Sequence, residues 1–386
     1  MLKKIVSFVS AASLTFALAL PSAQAQVAAP AVAAKAWLLI DMNSGQTLTS
    51  QEPDMRVEPA SLTKLMTAYL SFSALKEKKI TLDQMITPSK NAYKPEGSRM
   101  FIDIAKPVSV DDLLHGMIIQ SGNDASIALA ELIGGSEAAF AELMNREAKS
   151  MGMNNTNFKN STGLPDPSHY STANDLAKLV IRLITDFPEQ YGLYSIKEFT
   201  YNNIKQPNRN RLLFMDPTVD GVKTGHTDAA GFCLISSAHR PLPNVPNVQR
   251  RLLSVVLGTT SDAARAVESQ KLLNFGFSAF DDVRVYEKNQ VLGTPEVWKG
   301  KLSNIKIGLK EDLYLSVPKG QADSVKATLD RTQPLLAPLQ QGDQVGVLRV
   351  EVDGKPFAER PVVALETVET AGFFGRLWDT IRLWFK

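Results

Sequence analysis

The hydrophobic pattern of this chain changes period twice, and those changes limit its fold more than any other feature. From Ala36 to about Phe280, segments at helical spacing alternate with short strand-like runs. From about Val283 to Leu365 helical spacing disappears, and from Ala371 to Lys386 it returns. A strand-period segment cannot bury its apolar set on a helix, nor a helix-period segment in a sheet. The pattern therefore predicts an α+β part, a small all-β part and a terminal helix. With 386 residues, 44% of them hydrophobic, the chain also exceeds the length at which one core usually stops growing, so two domains are expected.

The first residues carry Lys3 and Lys4, an apolar run from Ile5 to Leu20, then Pro21 and Ala23-Gln24-Ala25. These are the three regions of a secretory signal peptide, predicted over residues 1–25. The run is shorter than the roughly 20 apolar residues of a membrane span. Val27 to Lys35 reads as an Ala/Pro-rich leader without chemistry. Export exposes the protein to oxidising conditions, yet Cys233 is the one cysteine and lies in an apolar strand-like run, which makes it a core residue. A net charge of +2, with bases spread among acids, leaves no footprint for nucleic acid.

Within the mixed part, predicted for residues 30–280, Trp37 to Ile40, the turn Asn43-Ser44-Gly45 and Thr47-Leu48 form a hairpin, and a helix runs from about Ser61 to Lys78. Ser109 with Asp112, and Thr172 with Asp175, are capping boxes that open two further helices. Val219 to Thr224, Phe232 to Ala238 and Leu252 to Gly258 are three closely spaced strands, which suits antiparallel pairing. The Pro-rich stretch Pro241 to Pro246 is a loop, and a helix from about Ala263 to Leu273 covers the sheet. Residues 281–366 form the small β domain, with Ile305, Ile307 and Leu309, then Leu313, Leu315 and Val317, then Val345 and Val347 facing inward, and Asp353-Gly354 as a hairpin turn. In the tail, 370–386, Phe374, Leu377, Trp378, Ile381, Trp384 and Phe385 share one side, and Leu383 departs from it. Four charges in so short a segment exclude a span; the amphipathic helix suits a membrane surface.

Ser61-Leu62-Thr63-Lys64 stands at a predicted helix start. Residues three apart share a face, so the Lys64 amine can reach the Ser61 hydroxyl and take its proton if it is neutral; a helix N-terminus and burial both favour the free amine. The same helix start offers backbone N–H groups to an oxyanion. Ser-x-x-Lys occurs four times here, beginning at Ser61, Ser73, Ser303 and Ser316, so spacing alone does not select one. Ser121-Gly122-Asn123 lies between two predicted helices. Its hydroxyl can relay a proton, and the Asn123 amide can hold Lys64 by one end and a substrate carbonyl by the other. Lys223-Thr224-Gly225-His226 closes a strand; the lysine and threonine can meet a carboxylate, Gly225 admits a ligand close to the backbone, and the His226 N–H can be a second oxyanion donor.

Ser-x-x-Lys, Ser-x-Asn and Lys-Thr-Gly together are the recorded signature of β-lactamases and penicillin-binding proteins, here in the expected order. With Val57-Glu58-Pro59-Ala60 before Ser61, the run Gln120 to Ala125 and the run Asp220 to Thr227, the chain resembles the low-molecular-mass penicillin-binding proteins, the serine D-alanyl-D-alanine carboxypeptidases. The resemblance implies a β-lactamase/transpeptidase-like catalytic domain with a five-stranded antiparallel sheet, a small β-sandwich domain and an amphipathic helix on the periplasmic face of the inner membrane. It implies Ser61 as nucleophile, Lys64 as base, Ser121 and Asn123 as relay and positioning pair, and Lys223 and Thr224 on the terminal carboxylate, with Gly225 and His226 beside them. The partners implied are peptidoglycan peptides ending in D-Ala-D-Ala and β-lactams that stall the acyl-enzyme.

The alternatives are a DD-endopeptidase or a β-lactamase of the same fold. Glu142 superficially matches the position of a lactamase glutamate, but it falls within an amphipathic run from Glu137 to Lys149 and is expected to be solvated. No cofactor or metal is called for. His115, His169, His226 and His239 lack paired ligand spacing, and all but His226 are expected as surface or loop residues.

Overall fold

A computed structural model describes residues 28–243 and 245–384; the predicted signal peptide, Phe385 and Lys386 lie outside them. The hairpin forms as β1 (Ala36–Asp41) and β2 (Gln46–Gln51), with Gly45 at φ +72° in the turn. Three later strands, β3 (Val219–Thr227), β4 (Gly231–Pro241) and β5 (Gln249–Thr259), complete an antiparallel sheet of order β2–β1–β5–β4–β3. β1 is apolar along nearly its whole length because the sheet is covered on both faces. Leu38 and Ile40 join Ile235 and Val255 in one core, while Trp37 and Leu39 join Leu234 and Val256 in the other. Cys233 is buried in the first.

The first core is filled from α1 (Lys64–Lys76), α2 (Val110–Ile119), α3 (Asn123–Gly134), α4 (Glu137–Ser150) and α5 (Ala173–Asp186). Both expected caps form. Ser109 accepts the Asp112 N–H at 3.0 Å and donates to its carboxylate at 2.7 Å, and Thr172 accepts the Asp175 N–H at 3.1 Å. The second core is closed by α6 (Asp262–Ala279), which runs past the predicted Leu273 through Gly276. A Cβ at Gly276 would stand 2.6 Å from Leu252 Cδ1, so glycine lets the helix lie directly on the sheet. The leader is not inert either: Val32 and Ala34 pack into this core, and Lys35 N–H bonds the Leu257 carbonyl at 2.9 Å.

Beyond α6 the chain is β-rich: β6 (Phe280–Tyr286), β7 (Ile307–Gly308), β8 (Leu313–Pro318), β9 (Val325–Arg331), β10 (Gln344–Val352) and β11 (Lys355–Ala364). β6 pairs with β8, and a sheet of order β7–β11–β10–β9 packs with them around Ile305, Ile307, Leu309, Leu313, Leu315 and Val317. Asp353 and Gly354 both take positive φ in the β10–β11 turn. Val345 is buried as expected, but Val347 is only half-buried: a bulge between Gln344 and Gly346 flips the strand, and Leu348, Val350 and Val352 become the inward set. The two parts meet where Gln46 exchanges two hydrogen bonds with the Ser316 backbone (2.8 and 3.1 Å) and Ser44 meets the Ser316 hydroxyl at 3.0 Å.

The tail forms α7 (Phe373–Leu383). Its polar side holds it to the β domain: Asp379 accepts the Lys299 N–H at 2.6 Å, and Arg382 reaches Glu296 at 3.4 Å and lies over the Trp298 ring. Phe374 is 83% exposed, Trp378 63% and Trp384 88%, so the aromatic face points away from the protein. Leu383, off the apolar stripe, lines a surface cavity together with Trp298 and Leu335. Among the described residues no helix is long and apolar enough to cross a membrane.

Candidate active site

Ser61 lies in a 3-10 turn, Ala60–Thr63, and the α-helix proper begins at Lys64, three residues later than the sequence suggests. The turn is held from several sides. Ala60 takes φ +48°, a conformation costly for a residue with a Cβ, so neighbours must impose it. Gly163, at φ +84°, lies so close that a Cβ there would stand 1.8 Å from the Ala60 carbonyl oxygen. Gly225 of β3 approaches from the other side, where a Cβ would come within 3.0 Å of the Pro59 oxygen. The glycine of Lys-Thr-Gly is thus required by the strand's approach to the Ser61 turn, which adds a reason to the ligand access inferred from sequence. Just upstream, Val57 exchanges backbone bonds with Ser171 at 2.9 and 3.0 Å.

Lys64 is 1% exposed, and its amine has three oxygens around it: Asn123 Oδ1 and the Thr162 carbonyl at 2.6 Å each, and Ser61 Oγ at 3.1 Å. Burial, then the positive charge of Arg209, brings its pKa down from 10.5 to about 7, against the opposing pull of Asp124 and Glu137. Two of the three partners can only accept. A neutral amine spends its two hydrogens on them, which leaves its lone pair for the third partner, the one that carries a transferable proton. The geometry therefore suits removal of the Ser61 proton.

Asn123 opens α3 behind Ser61. Its Nδ2 donates to the Glu96 carbonyl at 2.6 Å and its N–H to the Ser98 carbonyl at 2.7 Å. One hydrogen of the amide end expected to meet a substrate carbonyl thus holds the loop from Tyr93 to Arg99. Asp124 continues the task, accepting the N–H groups of Met100, Phe101 and Ile102. Ser121, at φ +67°, caps nothing; Gly122 is the N-cap, and the Ser121 hydroxyl accepts a 2.9 Å bond from Lys223. Lys223 is buried, which lowers its pKa well below the ordinary value, with Lys64 and Arg209 adding to the effect.

A cavity of about 510 Å³ opens in front of these groups, lined by Ser61, Ser121, Thr224, Gly225 and His226 of the predicted set. Lys64, Asn123 and Lys223 stand behind its wall: Lys64 is bonded to Ser61 in front, Lys223 to Ser121, and Asn123 to Lys64. Gly97 and Ser98 also line it, together with Arg209, Asp262 and Arg265, which sequence reasoning missed. Arg265 donates to the Gly225 carbonyl at 3.2 Å and pairs with Asp262. Burial lowers the pKa of both arginines, so a ligand carboxylate would relieve part of that cost. No local motif announces them: one sits in a loop and one on the first turn of α6.

His169 lies in a loop, one of the two places expected for it, but away from the surface. It is 3% exposed beneath the Ser61 turn, because the bridges of Asn157 with Tyr170 and of Val57 with Ser171 draw its segment inward. Glu142 is exposed on α4 as expected, and the carboxylate that this helix does bring near the site is Glu137, which accepts both the N–H and the hydroxyl of Ser161 at 2.9 and 2.6 Å. Among the described residues, no three His, Cys, Asp or Glu side chains stand together as a metal site.

A serine beside a desolvated lysine, at the open edge of a helix-covered antiparallel sheet, defines a serine acyl-transfer enzyme. A family model described as D-alanyl-D-alanine carboxypeptidase matches residues 23–261, and one described as the C-terminal domain of penicillin-binding protein 5 matches residues 280–370. The D-alanyl-D-alanine carboxypeptidase DacC of Escherichia coli (strain K12) is 43% identical over 372 residues, covering 94% of this chain and 91% of its own. The crystal structure of penicillin binding protein 5 from Haemophilus influenzae is similar at TM-score 0.84 and 41% identity, over 89% of this chain and 99% of that one. Penicillin-Binding Protein D2 from Listeria monocytogenes, in its cefotaxime-bound form, is similar at TM-score 0.59 and 31% identity over 65% of this chain and all of its own. The chain belongs to the D-alanyl-D-alanine carboxypeptidase family and is a serine-type peptidase of the penicillin-binding class.

Proposed function

We propose that the enzyme removes the terminal D-alanine of peptidoglycan peptides through an acyl-enzyme on Ser61. The observation that carries this reading is the Lys64 amine, 3.1 Å from Ser61 Oγ and tied at 2.6 Å to two acceptor-only oxygens. Lys64 takes the Ser61 proton as Oγ attacks the carbonyl between the two D-alanines, and the N–H groups of Ser61 and His226 receive the oxyanion. β3 is the sheet edge, so a substrate can align along it as an added strand. Ser121, held by Lys223, passes a proton to the departing amine. Thr224 meets the terminal carboxylate, and here the reading shifts from Lys223 toward Arg209 and Arg265, which share the cavity with Thr224. Water then hydrolyses the ester, and a β-lactam, opened by the same attack, stalls there. The relative solved with cefotaxime supports this inhibitor class.

The reading is tested by release of free D-alanine from a peptide ending in D-Ala-D-Ala. Release that vanishes in Ser61→Ala supports it, whereas undiminished release by that variant overturns the nucleophile. No release from folded wild-type protein moves the substrate toward cross-linked peptides.

The proposal extends to location: an exported protein with a catalytic domain over 30–280, a β domain over 281–366, and α7 resting on the periplasmic face of the inner membrane. The outward-turned Phe373, Phe374, Trp378 and Trp384 support it, since such a patch at a terminus is unfavourable in water. Deleting residues after Ala371 should free the processed protein from vesicles while D-alanine release persists. A truncated form that still sediments with vesicles contradicts the assignment.

A further inference from the structure

Ser61 is aimed by a short 3-10 turn, closed by the Leu62 N–H on the Pro59 carbonyl at 3.1 Å and the Lys64 N–H on the Ser61 carbonyl, and one side chain outside the three motifs grips that turn. His169 Nε2 lies 2.8 Å from Thr63 Oγ1, and the Lys159 N–H donates to His169 Nδ1 at 3.3 Å. Because Nδ1 accepts, the ring proton sits on Nε2 and is donated to Thr63. Burial lowers the pKa of this imidazole to about 4, and the charge of Lys64 acts in the same sense, so the ring is neutral across the working range. Phe158 packs edge-on against it.

We propose that His169 is a positioning residue for acylation, whose Nε2–H, through Thr63, holds the Ala60–Thr63 turn so that Ser61 faces the Lys64 amine. Thr63 is fully buried and immediately precedes Lys64. The other ties between this segment and α1 run through backbone carbonyls: Thr162 to Lys64 at 2.6 Å and Ser161 to the Thr67 hydroxyl at 2.7 Å. Those ties fix the amine and the helix. The His169–Thr63 bond fixes the turn that bears the hydroxyl, and a neutral ring does so without placing a second positive charge beside Lys64. A displacement of the nucleophile by about 1 Å can cost on the order of 100-fold in rate.

The inference rests on Ser61 and Lys64 as nucleophile and base. It is tested with fluorescent penicillin in single-turnover experiments on the full mature chain, separating the dissociation constant of the encounter complex from the acylation rate constant. Variants are His169→Leu, His169→Gln, the near-isosteric Thr63→Val, and the double variant. The expected result is a roughly 10- to 100-fold slower acylation step in His169→Leu and in Thr63→Val, with encounter affinity within about twofold. The double variant should be no slower than the worse single one, because both remove one bond. His169→Gln, whose amide can donate to Thr63, should recover to within about threefold of wild type. Wild-type acylation by folded His169→Leu overturns the proposal, as do multiplicative losses in the double variant or a loss carried by affinity alone. If His169→Leu does not fold, Thr63→Val decides by itself. Failure of the underlying reading is seen separately, as an adduct that persists in Ser61→Ala.

Discussion

The acid limb of acylation should report the Lys64 amine directly. An ordinary lysine, with a pKa of 10.5, would be neutral in only about 0.03% of molecules at pH 7, and its acylation rate would climb tenfold per pH unit well beyond pH 9. Burial, aided by Arg209, brings the Lys64 pKa to about 7, so about half the molecules hold the free amine at pH 7 and roughly 1% at pH 5. The predicted profile rises about 50-fold between pH 5 and 7 and less than about twofold beyond. The change from 10.5 to about 7 corresponds to about 5 kcal/mol of preference for the uncharged amine. The sign for stability follows: between pH 7 and 10.5 the unfolded chain holds a proton that the folded one has lost, so this group's contribution to stability rises with pH across that window. The assay is the second-order rate of penicillin acylation in a pH-independent buffer series, with Arg209→Met as companion. Removing that positive charge should move the limb to higher pH. A rate that keeps climbing tenfold per unit to pH 9, or a limb unmoved by Arg209→Met, would refute the argument that desolvation and a neighbouring cation prepare the base.

Other outcomes follow from the surrounding packing. Gly163→Ala places a Cβ 1.8 Å from the Ala60 oxygen at a residue with φ +84°, so urea unfolding should show a loss of about 2–5 kcal/mol from strain and overpacking together, and acylation should fall as the turn shifts. His169 carries a folded pKa of about 4 against 6.5 unfolded. The unfolded chain therefore binds the extra proton below 6.5, and stability is lost as pH falls through that window. About 2 kcal/mol of stability should disappear between pH 7 and 5, a loss that His169→Gln, compared by urea midpoints at the two pH values, should not share.

How much was legible in the sequence depends on the range of the interaction responsible. The hairpin at Asn43 to Gly45, the caps at Ser109 and Thr172, and the turn at Asp353-Gly354 are set by neighbours within a few residues, and each forms where the local chemistry places it. The bulge after Gln344 was hidden because it belongs to the pairing of two strands, and it reverses the face of Val347. The extension of α6 through Gly276 depends on the sheet beneath it, which no helix propensity records.

The same division runs through the site. The three motifs and their order are legible along the chain, because Ser61 with Lys64, Ser121 with Asn123, and Lys223 with Thr224 are each short-range patterns. What surrounds them comes from packing between distant segments. Folding put Lys64 and Lys223 behind the wall, joined Lys223 to Ser121 across 102 residues, and turned Asn123 toward the Glu96 loop. It also brought Arg209, Arg265 and His169 to the centre from positions with no distinguishing neighbours. The physical reason is that charge, reach and helix period act along the chain, whereas desolvation and close approach exist only after distant segments have packed; the lowered pKa of Lys64 and the glycines at 163 and 225 are products of that packing.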